Sequence, residues 1–196
     1  MADLDITERL IAARAGDPGA LNALLPAVYD ALRAMAHRRL GSRSGDRTLD
    51  TTSLVHETYL RLFDPARADL RDRRHFFAVA AIAMRHIVID HARRRTAARR
   101  GGGAAHVPLD EERIVVDRDA ELLLSLDEAV TRLASVSERL ARVVELRYFA
   151  GLSVEETADV LGVDARTVKR DWRKARALLH ESLARVPAEE HGEPRS

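Results

Sequence analysis

Between Gly151 and Leu179 the chain reads GLSVEETADVLGVDARTVKRDWRKARALL. No other stretch constrains the fold as much, because it spells two helices and the turn between them. Ser153 can N-cap the first helix while Glu156, three residues on, reaches back to the Ser153 amide, a reciprocal pair that fixes where this helix begins. Gly162 stops it. Asp164 caps a second helix, in which Val168, Trp172, Ala175 and Leu179 recur at i, i+4, i+7 and i+11, so one stripe packs inward. Arg166, Lys169, Arg170 and Arg173 recur on another face at i, i+3, i+4 and i+7, with Thr167 and Lys174 beside them. Such a face suits the DNA major groove, where guanidinium forks pair with guanine edges and Lys neutralises phosphates. A merely solvated Arg-rich helix shares the basic face, but it has no need of the cap, the glycine and the short turn in this order.

A chain of 196 residues suffices for one medium domain or two small ones. Only 4% of residues are aromatic, and Ala, Leu and Arg abound, which favours helical bundles over sheet. The net charge of +1 conceals segregation, since Arg85, Arg93, Arg94, Arg95, Arg99 and Arg100 face a single acid, Asp90, between positions 85 and 100. A local basic patch on a balanced chain points to a polyanionic partner. The absence of Cys removes disulfides, thiolate metal sites and cysteine nucleophiles, and fits a reducing, cytoplasmic setting. No apolar run approaches a membrane span, and Met1 to Arg14 lacks a signal-peptide core, so no membrane partner is expected.

Helical patterning runs from Thr7 to Arg100, with Leu21, Leu24, Leu25, Val28, Leu32 and Met35 tracing one stripe. It breaks at Gly101-Gly102-Gly103, and Gly101 to Asp117 reads as a flexible linker. Periodicity resumes near Ala120 and continues to Arg185, and PAEEHGEPRS has the composition of a tail. The expected architecture is all-α: a helical domain over 1–100, a linker over 101–119, a helix-turn-helix domain over 120–186 and a tail over 187–196. Two domains on a tether suit a protein that grips two separated sites at once.

In the first domain, LVHETYLRL offers Leu54, Val55, Tyr59 and Leu62 for packing and turns His56, Glu57, Thr58 and Arg61 outward. HFFAVAAIAMRHIVIDHARRR, His75 to Arg95, is a long helix with an apolar first half and a basic end. Arginines at a helix C-terminus complement its dipole, yet this basic run continues to Arg99 and Arg100, past the last turn. His86, Asp90 and His91 share a helix face, and His56 or His75 would be needed as a further ligand to hold a metal. Histidines beside arginines on a bundle are more often surface or nucleic-acid contacts, so neither a metal nor a cofactor is expected. No Gly-rich phosphate loop, nucleophile elbow or HExxH occurs, and no enzymatic activity is expected.

These segments resemble, in order, those of bacterial RNA polymerase sigma factors of the extracytoplasmic-function type. LVHETYLRLF is similar to the polymerase-binding helix with its LVQETFLR core, which implies polymerase contacts from Asp50, Leu54, Val55, His56, Glu57 and Arg61. The His75 to Arg95 segment resembles the helix that opens the minus-ten promoter element, where the family pattern ends in Ile-Asp and arginines, here Ile89, Asp90 and Arg93 to Arg95. A cationic track of Arg85, His86, Arg93, Arg94 and Arg95 would hold the unstacked strand. LRYFAGLSVEETADVLGVDARTVKRDWRKARALL resembles the helix-turn-helix that reads the minus-thirty-five element. The resemblance spans about Asp17 to Leu183 and implies core RNA polymerase and promoter DNA as partners.

Two departures stand out. Val79 occupies a position where the family usually has Trp, with Phe76 and Phe77 available to fill the space. The acidic Asp-Ala-Glu-Asp group that usually precedes the Leu-Val is here Asp50-Thr51-Thr52-Ser53, which keeps one acid and puts hydroxyls where the others belong. Phosphorylation of Thr51, Thr52 or Ser53 by a serine/threonine kinase would restore the charge, Thr52 aligning with the missing Glu. Alternatively, Thr52 or Ser53 is simply the N-cap of the Leu54 helix. An anti-sigma factor is the other candidate input. The rival reading is a single-site regulator in which only the helix-turn-helix meets DNA; it leaves the second basic tract without a purpose.

Overall fold

The computed structural model of the chain describes residues 3–15, 17–40, 49–63, 70–101 and 111–184. Among the described residues the architecture is all-α, as expected, and contains no strand. Four helices form the N-terminal half: α1 (Asp3–Arg14), α2 (Pro18–Leu40), α3 (Thr51–Leu62) and α4 (Arg73–Gly101). The C-terminal half holds α5 (Glu111–Val136), α6 (Glu138–Val144), α7 (Val154–Leu161) and α8 (Ala165–Ala184), and a π-helical turn, Glu145–Phe149, prolongs α6.

Short polar side chains start the helices. Asp50 caps α3 by accepting the Ser53 amide at 2.7 Å, and Ser137 caps α6 by accepting the Leu140 amide. At the head of α4, Asp72 accepts the His75 amide at 2.8 Å. Ser153 and Glu156 form the expected capping box at the start of α7, with N–O distances of 2.6 and 3.0 Å. Gly162 closes α7 at φ 66°, a left-handed conformation that glycine adopts without steric cost.

Two expectations change. The interval read as a linker is partly helical, because α5 begins at Glu111 rather than near Ala120. Ile114-Val115-Val116 gives three adjacent apolar residues, which mask the 3.6-residue period in the sequence. Residues 102–110 lie outside the described residues, as do 64–69 and the tail 187–196. Neither Thr52 nor Ser53 caps α3, since Asp50 takes that place and puts Thr51, Thr52 and Ser53 in the first turn.

Leu24, Val28, Leu32 and Met35 of α2 meet Leu54, Val55 and Leu62 of α3 and Phe76, Ala80, Met84 and Ile87 of α4 in one core. Phe76 and Phe77, edge to face at 5.1 Å, are both buried beside the half-buried Val79. That core does not stop at the N-terminal half: Leu146, Ala150 and Leu152 belong to it. Ile89 of α4 conversely joins the core formed by α5, α6, Phe149 and α8. The halves therefore share apolar packing, which the picture of two bundles on a tether did not contain.

Candidate nucleic-acid interface

Helix α8 is built with two faces. Val168, Ala175 and Leu179 are buried, while Arg166, Lys169, Arg170, Arg173 and Lys174 are exposed along the opposite side. Asp164 fixes the start by accepting the Thr167 amide and the Thr167 hydroxyl, each at 2.8 Å. Those bonds, the amide's first and the hydroxyl's second, hold the Asp164 carboxyl below its ordinary pKa. Thr167 is thereby engaged with the cap, its side chain half-buried.

The inward side of α8 carries two features the apolar pattern concealed. Asp171 is 3% exposed and lies between Val168 and Ala175 on the packing stripe, 2.7 Å from Arg139 Nε on α6. This ion pair ties α8 to α6. An acid on an apolar stripe among arginines was the available signal. Trp172, on the stripe expected to pack inward, is half-buried: it packs between the two C-terminal clusters, one of which holds Ala158 and Leu161 of α7, with the Arg147 guanidinium 5.7 Å from its ring. It lines a groove with Leu126, Val144, Tyr148 and Arg176.

The basic track of α4 divides. His86, Arg93 and Arg94 are exposed, and Arg95 is half-buried. Arg85 points the other way and is 9% exposed. Its Nε and Nη2 meet Asp127 Oδ1 at 2.8 and 2.7 Å, Nη1 meets Glu145 Oε1 at 2.8 Å, and Nη2 also donates to Thr131 Oγ1 at 2.9 Å. A guanidinium so enclosed presents no donor to a nucleic acid in this conformation, unlike the outward Arg85 that the sequence pattern suggested. Arg93 reaches Asp127 from the surface at 3.4 Å.

On α3, Leu54, Val55 and Leu62 are buried and His56 and Arg61 exposed, as the spacing predicts. Thr58 is the exception, fully buried with its hydroxyl donating to the Leu54 carbonyl at 2.6 Å, while Leu60 is exposed. Arg61 pairs with Asp90 at 2.9 Å and Glu57 with His91 at 3.2 Å, so α3 and α4 are cross-linked by side chains. Asp50 is exposed, and its carboxyl is held below its ordinary pKa chiefly by the Ser53 backbone amide and then by the Ser53 side chain. Beside it Thr52 is exposed and Thr51 and Ser53 are half-buried.

The histidines considered as metal ligands are distributed otherwise: His91 faces Glu57, Asp90 faces Arg61, and no group of three or more His, Asp or Glu gathers among the described residues. No helix among these residues is long and apolar enough to cross a membrane.

The family model described as ECF sigma factor matches the chain over residues 3–185. No curated protein matches it significantly.

Proposed function

The chain belongs to the ECF sigma factor family, and from that premise we propose that it brings core RNA polymerase to its promoters through three separate surfaces. The exposed residues of α8, Arg166, Lys169, Arg170, Arg173 and Lys174, read the upstream element. Arginine forks give base discrimination there, and the lysines add phosphate neutralisation that is indifferent to sequence. On α4, His86, Arg93, Arg94 and Arg95 hold the displaced strand. Asp50, His56, Glu57 and Arg61, on the scaffold of Leu54 and Val55, meet polymerase.

The observation that carries this reading is the two-faced α8: five exposed cations on one side, and on the other an apolar stripe anchored by the Asp171–Arg139 pair. Run-off transcription with core polymerase on promoter DNA tests it. Arg170→Ala with Arg173→Ala should lower promoter affinity by about 1–3 kcal/mol for each base-reading arginine and flatten the salt dependence. Unchanged affinity and salt slope would remove α8 from the promoter.

The same proposal extends to control. Thr52 stands in the first turn of α3, beside the polymerase-binding side chains, where a phosphate would supply the charge that the family's acidic group otherwise brings. A serine/threonine kinase would then be the input, in place of an anti-sigma factor.

A further inference from the structure

Of the 32 lysine and arginine side chains in the sequence, two are lysine, and both stand exposed on α8, Lys169 and Lys174. Everywhere else the chain uses arginine. The difference is chemical: a guanidinium stays protonated, whereas an ammonium that releases its proton leaves an amine able to attack an electrophilic carbon. Side-chain amine chemistry is therefore confined to one helix face, the one assigned above to the promoter.

The two lysines have different surroundings. On a helix the neighbours of a side chain stand three and four residues away. Lys169 has Arg166 a turn before it and Arg173 a turn after it, both exposed. Lys174 has Arg170 a turn before it and the apolar Ala177 and Leu178 after it, and Arg170 Nε lies 3.5 Å from the Asp171 carboxylate. The acids of this helix start are engaged elsewhere, Asp164 with the Thr167 amide and hydroxyl, and Asp171 with Arg139. Among the described residues no carboxylate pairs with Arg166, Lys169 or Arg173. About 10 Å of helix separates Arg166 from Arg173, a span that two arginine side chains can close over a small anion, with Lys169 between them.

We propose that Lys169 is an acyl-acceptor site whose donor is an acyl phosphate. Arg166 and Arg173 hold the donor's phosphate through charge-assisted hydrogen bonds and bring its carbonyl carbon to Lys169 Nζ. The ammonium first loses a proton to water. The amine then attacks the carbonyl carbon: the C–N bond forms, the bond from that carbon to the phosphate oxygen breaks, and hydrogen phosphate leaves with the electron pair and the second amine proton. The amide that remains is neutral, so acylation removes one of the five exposed cations of α8. Its effect on transcription rests on the sigma factor reading; the acyl transfer does not. At a promoter, the loss of this charge weakens the sequence-independent share of binding and leaves base readout by the arginines in place. Initiation thereby responds to the supply of activated acyl groups.

The test uses the whole chain with acetyl phosphate as the probe, and peptide mass spectrometry reads the two lysines separately. The uncharged N-hydroxysuccinimide ester of acetic acid reports accessibility alone and sets the baseline ratio of Lys169 to Lys174. Relative to that baseline, acetyl phosphate should favour Lys169 about fivefold, as two exposed guanidinium–anion contacts of ordinary strength give. Inorganic phosphate and rising salt should erase the preference. Arg166→Gln, on the far side of Lys169 from Lys174, should slow acetylation of Lys169 and leave Lys174 as the internal reference, and adding Arg173→Gln should bring the ratio to the baseline. In promoter binding, Lys169→Gln should reduce the slope of log affinity against log salt by about 1, while Lys169→Arg keeps it. The same ratio with acetyl phosphate as with the uncharged ester would overturn the site, as would a preference that survives the loss of both Arg166 and Arg173. A salt slope that Lys169→Gln leaves unchanged would instead count against α8 as the promoter-reading helix, with the acetylation rates of the free chain still deciding the acyl transfer.

Discussion

A phosphate on Thr52 would arrive at a helix start that already holds one anion. Asp50 takes the Ser53 amide, so the hydroxyls of the first turn are not needed as the cap, and Thr52 is the one among them that is exposed. The incoming charge of about −1.5 to −2 would be attracted by the helix N-terminus and repelled by Asp50, two effects that oppose one another. Thr52→Glu should therefore change folding stability by less than about 0.5 kcal/mol, as a surface substitution does, while raising affinity for core polymerase. Thr52→Ala should stay at the level of the unmodified protein when a kinase is supplied. Binding of labelled protein to core polymerase, run-off transcription and mass spectrometry of the native protein decide the matter. Full activity of unphosphorylated wild type, with no gain from Thr52→Glu, would end the switch. Individual residues were also where the sequence misled most. Thr58 looked polar and outward but returns its hydroxyl to its own helix, which lets it be buried, and Arg85 looked like part of a track because its acids lie 42 and 60 residues away.

At the scale of elements, caps fixed the boundaries that could be read in advance, and one of them gives a pH dependence with a definite sign. Asp164 has its pKa lowered below the ordinary 3.8 by the Thr167 amide and hydroxyl, so the folded state prefers it ionised. The stability this contributes is present above that ordinary value and is lost as pH falls through the lowered folded value. Urea unfolding should show Asp164→Ala less stable than wild type at neutral pH, with the difference shrinking through the acid range. Asp164→Asn, which keeps an acceptor without the charge, should recover part of the neutral-pH loss and none of its acid dependence. A constant difference at every pH would remove the carboxylate from the account. The helix pair around Gly162 was legible because capping box, glycine and period are all local signals. The start of α5 was not, since Ile114 to Val116 fits several periods and three nearby glycines pointed to a linker. The π-helical turn left no local signal, as its effect is to aim Glu145 and Leu146 at partners in the other half.

Across the whole molecule, the decisive contacts join residues dozens of positions apart, and a sequence pattern of period 3.6 carries no information on them. Leu146, Ala150 and Leu152 are apolar on any reading; that they complete the core of α2, α3 and α4 depends on the fold. A core shared in this way makes the halves unfold together, because separating them costs both apolar burial and leaves the Arg85 guanidinium without its carboxylates. The chain has a single Trp, Trp172 in the C-terminal half, so its fluorescence follows that half while far-UV circular dichroism follows every helix. In wild type the two signals should fall at the same urea concentration, the signature of one cooperative transition. Gly151→Asn should separate them, because a Cβ at this position would stand 2.8 Å from the Arg38 Cβ of α2, which forces the halves apart and leaves each with its own stability. Two transitions already present in wild type would mean that the shared core contributes little to folding. Coincident transitions in Gly151→Asn would mean that the cores remain coupled in spite of the added side chain.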